Sequence, residues 1–96
     1  MPSEYENVVY YEAVVEIEYW IYGPDAPDHN TTIKNIAEQL DFNIELDGFG
    51  LARLDATGHE FQELRVRKDA LLDSLRVAGF KPRSARIAAI VSMEVL

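Results

Sequence analysis

Apolar and polar residues alternate along the first part of the chain. Between residues 8 and 22 the odd positions form a nearly continuous apolar series, while the even positions mix acidic and aromatic residues. The apolar series is Tyr11, Ala13, Val15, Ile17, Tyr19 and Ile21, and the mixed series is Glu12, Val14, Glu16, Glu18 and Trp20. A period of two is typical of a β-strand with one packed face and one face toward solvent. The pattern therefore predicts a strand over 8–22.

A loop and a helix are predicted next. Residues 23–30 read GPDAPDHN, and the glycine, prolines, aspartates and asparagine favour a turn over a regular element. Thr31 or Thr32 can then cap a helix, since a threonine oxygen accepts hydrogen bonds from early backbone N–H groups. The apolar residues that follow have the spacing of one helical face, which predicts a helix over 32–40. They are Ile33, Ile36, Ala37 and Leu40.

Residues 42–46 admit two interpretations. Apolar and polar residues alternate there, as in a strand, and Asp47–Gly48 suits a hairpin turn. Ile44 also follows Leu40 at helical spacing, so the first helix could instead continue to the glycine. We favour the strand, because phenylalanine, asparagine and isoleucine are weak helix formers. A partner strand is then expected over 49–56.

The second helix, predicted over 58–78, has signals at both ends. Thr57 and Glu60 have the spacing of a capping box, in which each side chain binds the backbone N–H of the other residue. Gly79 can adopt the left-handed conformation that ends a helix, with Phe80 packing back onto the last turn.

A final alternating segment predicts a strand over 84–95. The resulting order, β-α-β-β-α-β, is that of a ferredoxin-like α+β sandwich, with two helices on one face of a four-stranded antiparallel sheet. We expect residues 1–96 to form a single domain. The residues expected to be buried together are Tyr11, Val15, Ile17, Ile36, Leu40, Phe61, Leu64, Leu71, Leu75, Ile87 and Val91.

The charge of the chain narrows the classes of partner. Acidic residues outnumber basic ones by seventeen to nine, for a net charge of −8. Phosphate backbones and anionic membranes repel such a chain, so we expect no direct binding of nucleic acid or membranes. The charge is uneven, with −12 in residues 1–64 and +4 in residues 65–96. The simplest expectation is that the two parts pair across the fold.

Several kinds of chemistry are excluded or disfavoured. The chain has no cysteine, which excludes a disulfide scaffold, a thiol nucleophile and a cysteine-ligated metal. It also lacks a phosphate-binding glycine motif and a nucleophile elbow. We expect no catalytic residues, no cofactor and no metal, and the chain is more simply understood as a non-enzyme.

Two local clusters leave some room for chemistry. The segment with Asp25, Asp28 and His29 is either a solvated turn or a metal or acid–base site, and we favour the turn. His59 is expected to be an exposed residue of the first turn of the second helix. The basic residues of the last third either form ion pairs or line a phosphate-binding stripe, and we favour ion pairs. They are Arg65, Arg67, Lys68, Arg76, Lys81, Arg83 and Arg86.

The element order is shared with RNA-recognition modules, which stack bases on aromatic residues inside a basic surface. Here the third strand offers only Phe49 for stacking, and the first strand carries glutamates. RNA binding is therefore not expected.

The even-numbered face of the first strand is the predicted functional site. Aromatic residues of this kind are common anchors at protein interfaces, and neighbouring charges set partner choice. We expect a non-catalytic interaction module that binds a basic protein partner, one version of which is a small nucleic-acid-mimic inhibitor, or that self-associates. The alternative is a ligand-binding or enzymatic homodimer with a cavity between two sheets. The expected partner-binding residues are Glu12, Glu16, Glu18, Trp20 and Tyr22.

The expected location is the cytoplasm. The first residues lack the basic and apolar regions of a signal peptide, and no apolar run approaches the roughly 20 residues of a membrane span.

Overall fold

The computed structural model describes the backbone of residues 5–24 and 26–95 and the side chains of residues 9–24 and 28–91. The elements are β1 (Tyr5–Glu18), α1 (Ala26–Gln39), β2 (Asn43–Leu46), β3 (Leu51–Gly58), α2 (Phe61–Val77) and β4 (Lys81–Val95). The four strands form one open antiparallel sheet in the order β2-β3-β1-β4. The α+β class and the strand, rather than helix, at β2 are confirmed.

The core lies between the helices and the sheet face that carries the odd residues of β1. Both helices contribute side chains to it, which leaves the opposite face of the sheet open. The buried cluster consists of Ala13, Val15, Ile17, Ile33, Ala37, Phe42, Ala52, Leu54, Ala56, Leu64, Leu71, Leu75 and Phe80. Of the other predicted core residues, Tyr11, Ile36, Leu40 and Ile87 are partly buried and pack against this cluster.

Two predicted core residues are not buried. Phe61 is 40% exposed and Val91 is 62% exposed. Phe61 is the first residue of α2, and its ring lies at the edge of the core against Tyr11, at 5.3 Å between centroids. Val91 pairs with Val9, beyond the last residue of β1 that pairs with β3. Helical periodicity and strand alternation predict which face of its element a residue lies on. They do not predict how far the neighbouring helix or strand extends over that face.

The first strand ends earlier than the predicted 8–22. Glu18 is the last residue of β1, and it pairs with Leu51 on one side and with Lys81 on the other. Both neighbouring strands begin at these two residues, so the ladder stops on both sides at once. The aromatic residues that follow are therefore outside the strand, despite their strand propensity.

The last strand begins before the predicted 84–95 and contains Pro82. Proline is tolerated there because β4 is an edge strand, where an N–H can be absent without loss of a ladder hydrogen bond. The register shifts at this point, and Arg83 is the extra residue of a β-bulge opposite Glu16 and Ile17.

The first helix begins at Ala26, well before the predicted residue 32. Pro27 lies in its first turn, where the ring fixes a helical φ and the missing N–H would have no partner within the helix. Thr31 and Thr32 therefore lie within the helix, and the prediction that one of them is the cap is wrong.

The second helix starts later than predicted, at Phe61. It ends at Val77, within one residue of the predicted end. Its N-cap is Glu60 without a side-chain hydrogen bond, because Thr57 belongs to β3 and cannot cap. The capping-box prediction is therefore wrong. At the other end Gly79 has φ +92°, and the Phe80 N–H donates to the Leu75 carbonyl at 2.9 Å. This is the Schellman arrangement that the sequence predicts.

Candidate functional site

The three predicted acidic site residues lie on the open face of β1. The odd residues of this strand are in the core, so the alternation of a strand directs Glu12, Glu16 and Glu18 to the other side. Glu12 and Glu16 are half-buried there, and Glu18 is exposed.

Two of these carboxylates form ion pairs with arginines of β4. Arg83 Nη1 lies 3.1 Å from Glu18 Oε1, and Arg86 Nη1 lies 3.9 Å from Glu16 Oε1. The acidic first part of the chain and the basic last part thus pair across the fold, as the charge distribution predicts. Among the described residues Glu12 has no ion pair. Exposed pairs of this kind contribute little to stability, so another cation can replace the arginine.

Val14 lies between these carboxylates on the same face, yet it is only 1% exposed. Its cross-strand neighbours are Asp55 on β3 and Arg86 on β4. Asp55 Oδ2 in turn binds Arg53 Nη1 at 2.9 Å. Because long charged side chains cover apolar surface with their stems, the middle of the open face is closed by this charged layer. Large exposed aromatic residues lie beyond this layer, toward the end of the sheet at Glu18.

Trp20 and Tyr22 lie at that end, in the segment after β1. Each is 67% exposed, and their rings meet edge to face at 5.6 Å between centroids. The segment is tied to α1, because His29 Nδ1 lies 3.1 Å from the Trp20 carbonyl oxygen. The prediction that both rings continue the strand face of the glutamates is wrong, since the strand ends at Glu18.

Phe49 is a third exposed aromatic ring at this end, which the sequence analysis did not assign to the site. It lies in the loop between β2 and β3 and is 87% exposed. The loop contacts the segment after β1 directly, because the Tyr19 N–H donates to the Gly50 carbonyl at 2.8 Å. The sequence signal for this exposed ring is a phenylalanine between two glycines, because a short glycine-rich turn has no core in which to bury it. We call Trp20, Tyr22 and Phe49 the aromatic end.

Asp47 holds the loop that carries Phe49. Its Oδ1 accepts hydrogen bonds from the N–H groups of Phe49, at 2.7 Å, and Leu51, at 3.0 Å. These hydrogen bonds lower the pKa of Asp47 below its ordinary value, and the one from Phe49 has the largest effect. Nearby, burial and then the charge of Asp47 raise the pKa of Tyr19. The loop therefore has a fixed negative charge at its base.

A hollow of about 350 Å³ separates the loop from the ion pair on β1 and β4. Glu18, Phe49 and Arg83 are among the residues that line it. Glu18 of the acidic residues and Phe49 of the aromatic end thus border the same hollow.

The other candidates of the sequence analysis do not assemble into a site. Asp25 lies outside the described residues, and Asp28 is exposed in the first turn of α1. His29 packs edge to face against Phe80, at 5.6 Å. His59 Nδ1 lies 3.4 Å from the Val9 carbonyl oxygen. Among the side chains that the structure describes, residues 9–24 and 28–91, no three His, Asp or Glu residues come together in a way that could hold a metal ion.

Arg67 and Lys68 of α2 each contact a nearby side chain. Arg67 lies over the ring of Phe42, at 5.4 Å from its centroid. Lys68 pairs with Asp69 at 3.4 Å. The contact between Lys68 and Asp69 is an ion pair of the expected kind, whereas the contact of Arg67 is with an aromatic ring.

Within the described part of the chain, neither helix has the length and apolar character needed to cross a membrane. Compared with known protein families, the chain matches none, and it matches no curated protein either.

Proposed function

We propose that this chain is a non-catalytic protein-interaction module. Its contact surface consists of the acidic residues of β1, Glu12, Glu16 and Glu18, together with Trp20 and Tyr22. The observation that carries the proposal is the exposure of the two rings, which contact each other and do not belong to the core. Large aromatic residues left exposed together are typical anchors of protein interfaces.

The geometry supports a division of roles. Phe49 adds a third ring on the adjoining loop, so the aromatic end offers apolar area that one partner could cover. The charged layer over Val14 supplies a polar rim beside it. Central aromatic residues carry most of the affinity of an interface, while rim charges govern the association rate and partner choice.

The proposed partner is a basic protein. The chain has a net charge of −8, and Glu18 and Glu16 already bind guanidinium groups of their own chain. An arginine or lysine of a partner can exchange with these exposed arginines at low cost. One specific form of this proposal is a small inhibitor that presents carboxylates where its partner ordinarily binds phosphates.

We favour this function over a ligand-binding or enzymatic homodimer. A cavity between two sheets would have to form over the middle of the open face. The charged residues over Val14 occupy that position, with Arg53 and Asp55 bound to each other. The cytoplasmic location stays a prediction from the sequence.

We also infer that the fold is the ferredoxin-like sandwich. The order of elements and the position of β3 between β1 and β2 support this assignment. In this arrangement β1 is an interior strand, so its open face is flanked by strands on both sides.

A retention experiment with two variants tests the proposed function. The parent chain, the double variant Trp20→Ala/Glu16→Lys and the control Val66→Ala are immobilised and exposed to extract from the native source. Val66 is exposed on α2 and away from the open face, so its variant should retain the same basic protein as the parent. The double variant, once shown to be folded by circular dichroism, should lose it. Equal retention by all three would place the binding surface elsewhere.

A further inference from the structure

The outer edge of β4 is a long unpaired strand edge. β4 is the last strand of the sheet order, and in the described chain no strand pairs with its outer side. Its first half carries Lys81, Arg83 and Arg86, which are the charges that natural edge strands use against pairing. After Arg86 the strand runs through Ile87–Val91 without a charge. An edge of this kind is a template for another strand.

The hydrogen bonds at the end of β1 show which backbone groups of β4 face outward. The Tyr19 N–H donates toward β3, so the odd residues of β1 bond to β3 and the even residues bond to β4. Through the register with β1, Ala88 and Ile90 therefore direct their backbone groups inward. Ala89 and Val91 direct theirs outward, to the free edge.

Among the described strands, the end of β4 pairs with β1 alone. The pairing of β3 with β1 stops at Tyr11, so residues 5–10 and 90–95 form a two-stranded ribbon. Val9 and Val91 are exposed on it. A two-stranded ribbon is marginally stable in water by itself, and an added pair of strands would stabilise it.

We propose that two copies of this chain pair antiparallel through their β4 edges, about a two-fold axis at Ile90. This register places Ala89 opposite Val91 of the second copy, so that residues with outward backbone groups face each other in both chains. The result is a continuous sheet across the dimer with an isologous interface. This edge is separate from the aromatic end, and the proposal does not rest on the proposed function.

Charge complementarity supports this register. Within one chain the register places Glu94 of β4 opposite Glu6 of β1, so this end of the two strands is acidic in sequence. In the proposed dimer Arg86 occupies the position opposite Glu94 of the second copy, at both ends of the interface. A two-fold axis at residue 86 or 94 would instead place identical charges opposite each other.

The free edge of β1 is a weaker candidate for the same role. It is shorter, because β3 covers the strand from Tyr11 onward. His59 also lies against the Val9 carbonyl oxygen at that edge, at 3.4 Å. The long edge of β4 has no such cover among the described residues.

A charge exchange tests the register. Sedimentation velocity of the parent chain should give a species of about twice the 10.9 kDa chain mass. Arg86→Glu should raise the dimer dissociation constant about tenfold or more, because symmetry repeats the like-charge pair at both ends. The double variant Arg86→Glu/Glu94→Arg should recover the parent value. A parent that stays monomeric up to about 1 mM, or a double variant no better than Arg86→Glu, would overturn the proposal.

A second variant tests the edge without a change of charge. Val91→Pro removes an outward N–H and leaves the hydrogen bonds between β1 and β4 in place, so a folded monomer is expected. The matched control is Val77→Lys, since Val77 is exposed at the end of α2 and its variant should stay dimeric. A dimer that survives Val91→Pro and Arg86→Glu but dissociates with Trp20→Ala would form through the aromatic end, which also overturns the proposal. Circular dichroism of each variant separates loss of dimer from loss of fold.

Discussion

The backbones of Tyr19 and Gly50 are in direct contact. The Tyr19 N–H donates to the Gly50 carbonyl at 2.8 Å, and a methyl group on Gly50 would lie 2.7 Å from the Tyr19 carbonyl oxygen. Gly50 also has φ +100°, a conformation that residues with a Cβ rarely adopt. This contact joins the segment that carries Trp20 to the loop that carries Phe49, so it holds the aromatic end together.

Gly50→Ala should therefore destabilise the protein more than a positive φ alone requires. A left-handed conformation costs about 1–2 kcal/mol for a residue other than glycine, and the contact with the Tyr19 oxygen adds to this. We expect a total loss above about 2 kcal/mol in the free energy of unfolding, measured with urea. Gly48→Ala is the matched control, since Gly48 has φ +80° with open space around its Cα. Equal losses for the two variants would contradict the close approach.

The charge of Asp47 should stabilise the loop in a defined range of pH. Hydrogen bonds from Phe49 and Leu51 lower the pKa of Asp47 in the folded state below its ordinary 3.8. The unfolded chain therefore binds the proton more tightly, so the stabilisation is fully present above pH 3.8. It is lost as the pH falls through the lowered value.

Asp47→Asn isolates this effect, because the amide keeps an acceptor oxygen but not the charge. The variant should be less stable than the parent at neutral pH, and the two unfolding free energies should converge as the pH approaches about 2. A difference that stays constant over this range would show that the carboxylate charge is not responsible.

The order of the six elements could be predicted because each signal is local. Alternation in β1 and β4 and the turn at Gly79 depend on neighbouring residues, and the structure has these elements in the expected order, with different strand bounds. The end of β1 at Glu18 could not be predicted in this way. It is set by Leu51 and Lys81, two residues distant in sequence, at which the neighbouring strands begin.

In the candidate site too, local patterns predict some positions, while others depend on residues distant in sequence. The phase of Glu12, Glu16 and Glu18 follows from alternation alone. The position of Trp20 does not, because the chain leaves the sheet after Glu18. The arginines beside the glutamates and the approach of Phe49 result from strand pairing and from the contact of two loops, which no local pattern reports.

Truncation of the buried stripe of α2 should be costly. Leu71 and Leu75 are fully buried in the core. Leu71→Ala and Leu75→Ala should each lower the free energy of unfolding by about 2–5 kcal/mol, as cavity-forming substitutions do. Val66→Ala, on the exposed side of the same helix, should change it by less than about 0.5 kcal/mol. Urea denaturation of the three variants would show a wrongly assigned helix face if the losses were similar.

Binding kinetics should separate the aromatic end from the acidic residues. Trp20 is an anchor in the proposed interface, so Trp20→Ala should weaken affinity for the retained basic partner by about 2 kcal/mol or more, mainly through faster dissociation. Glu16 is a half-buried charge of the rim, and Glu16→Lys should instead slow association and flatten its salt dependence. The reason is that screening acts on the long-range attraction that steers the encounter and hardly on an apolar contact. Surface plasmon resonance at several salt concentrations measures both rates, with Val66→Ala as the unchanged reference. If both variants, shown to be folded, altered only the association rate, the rings would not be anchors and the affinity would have to come from another surface.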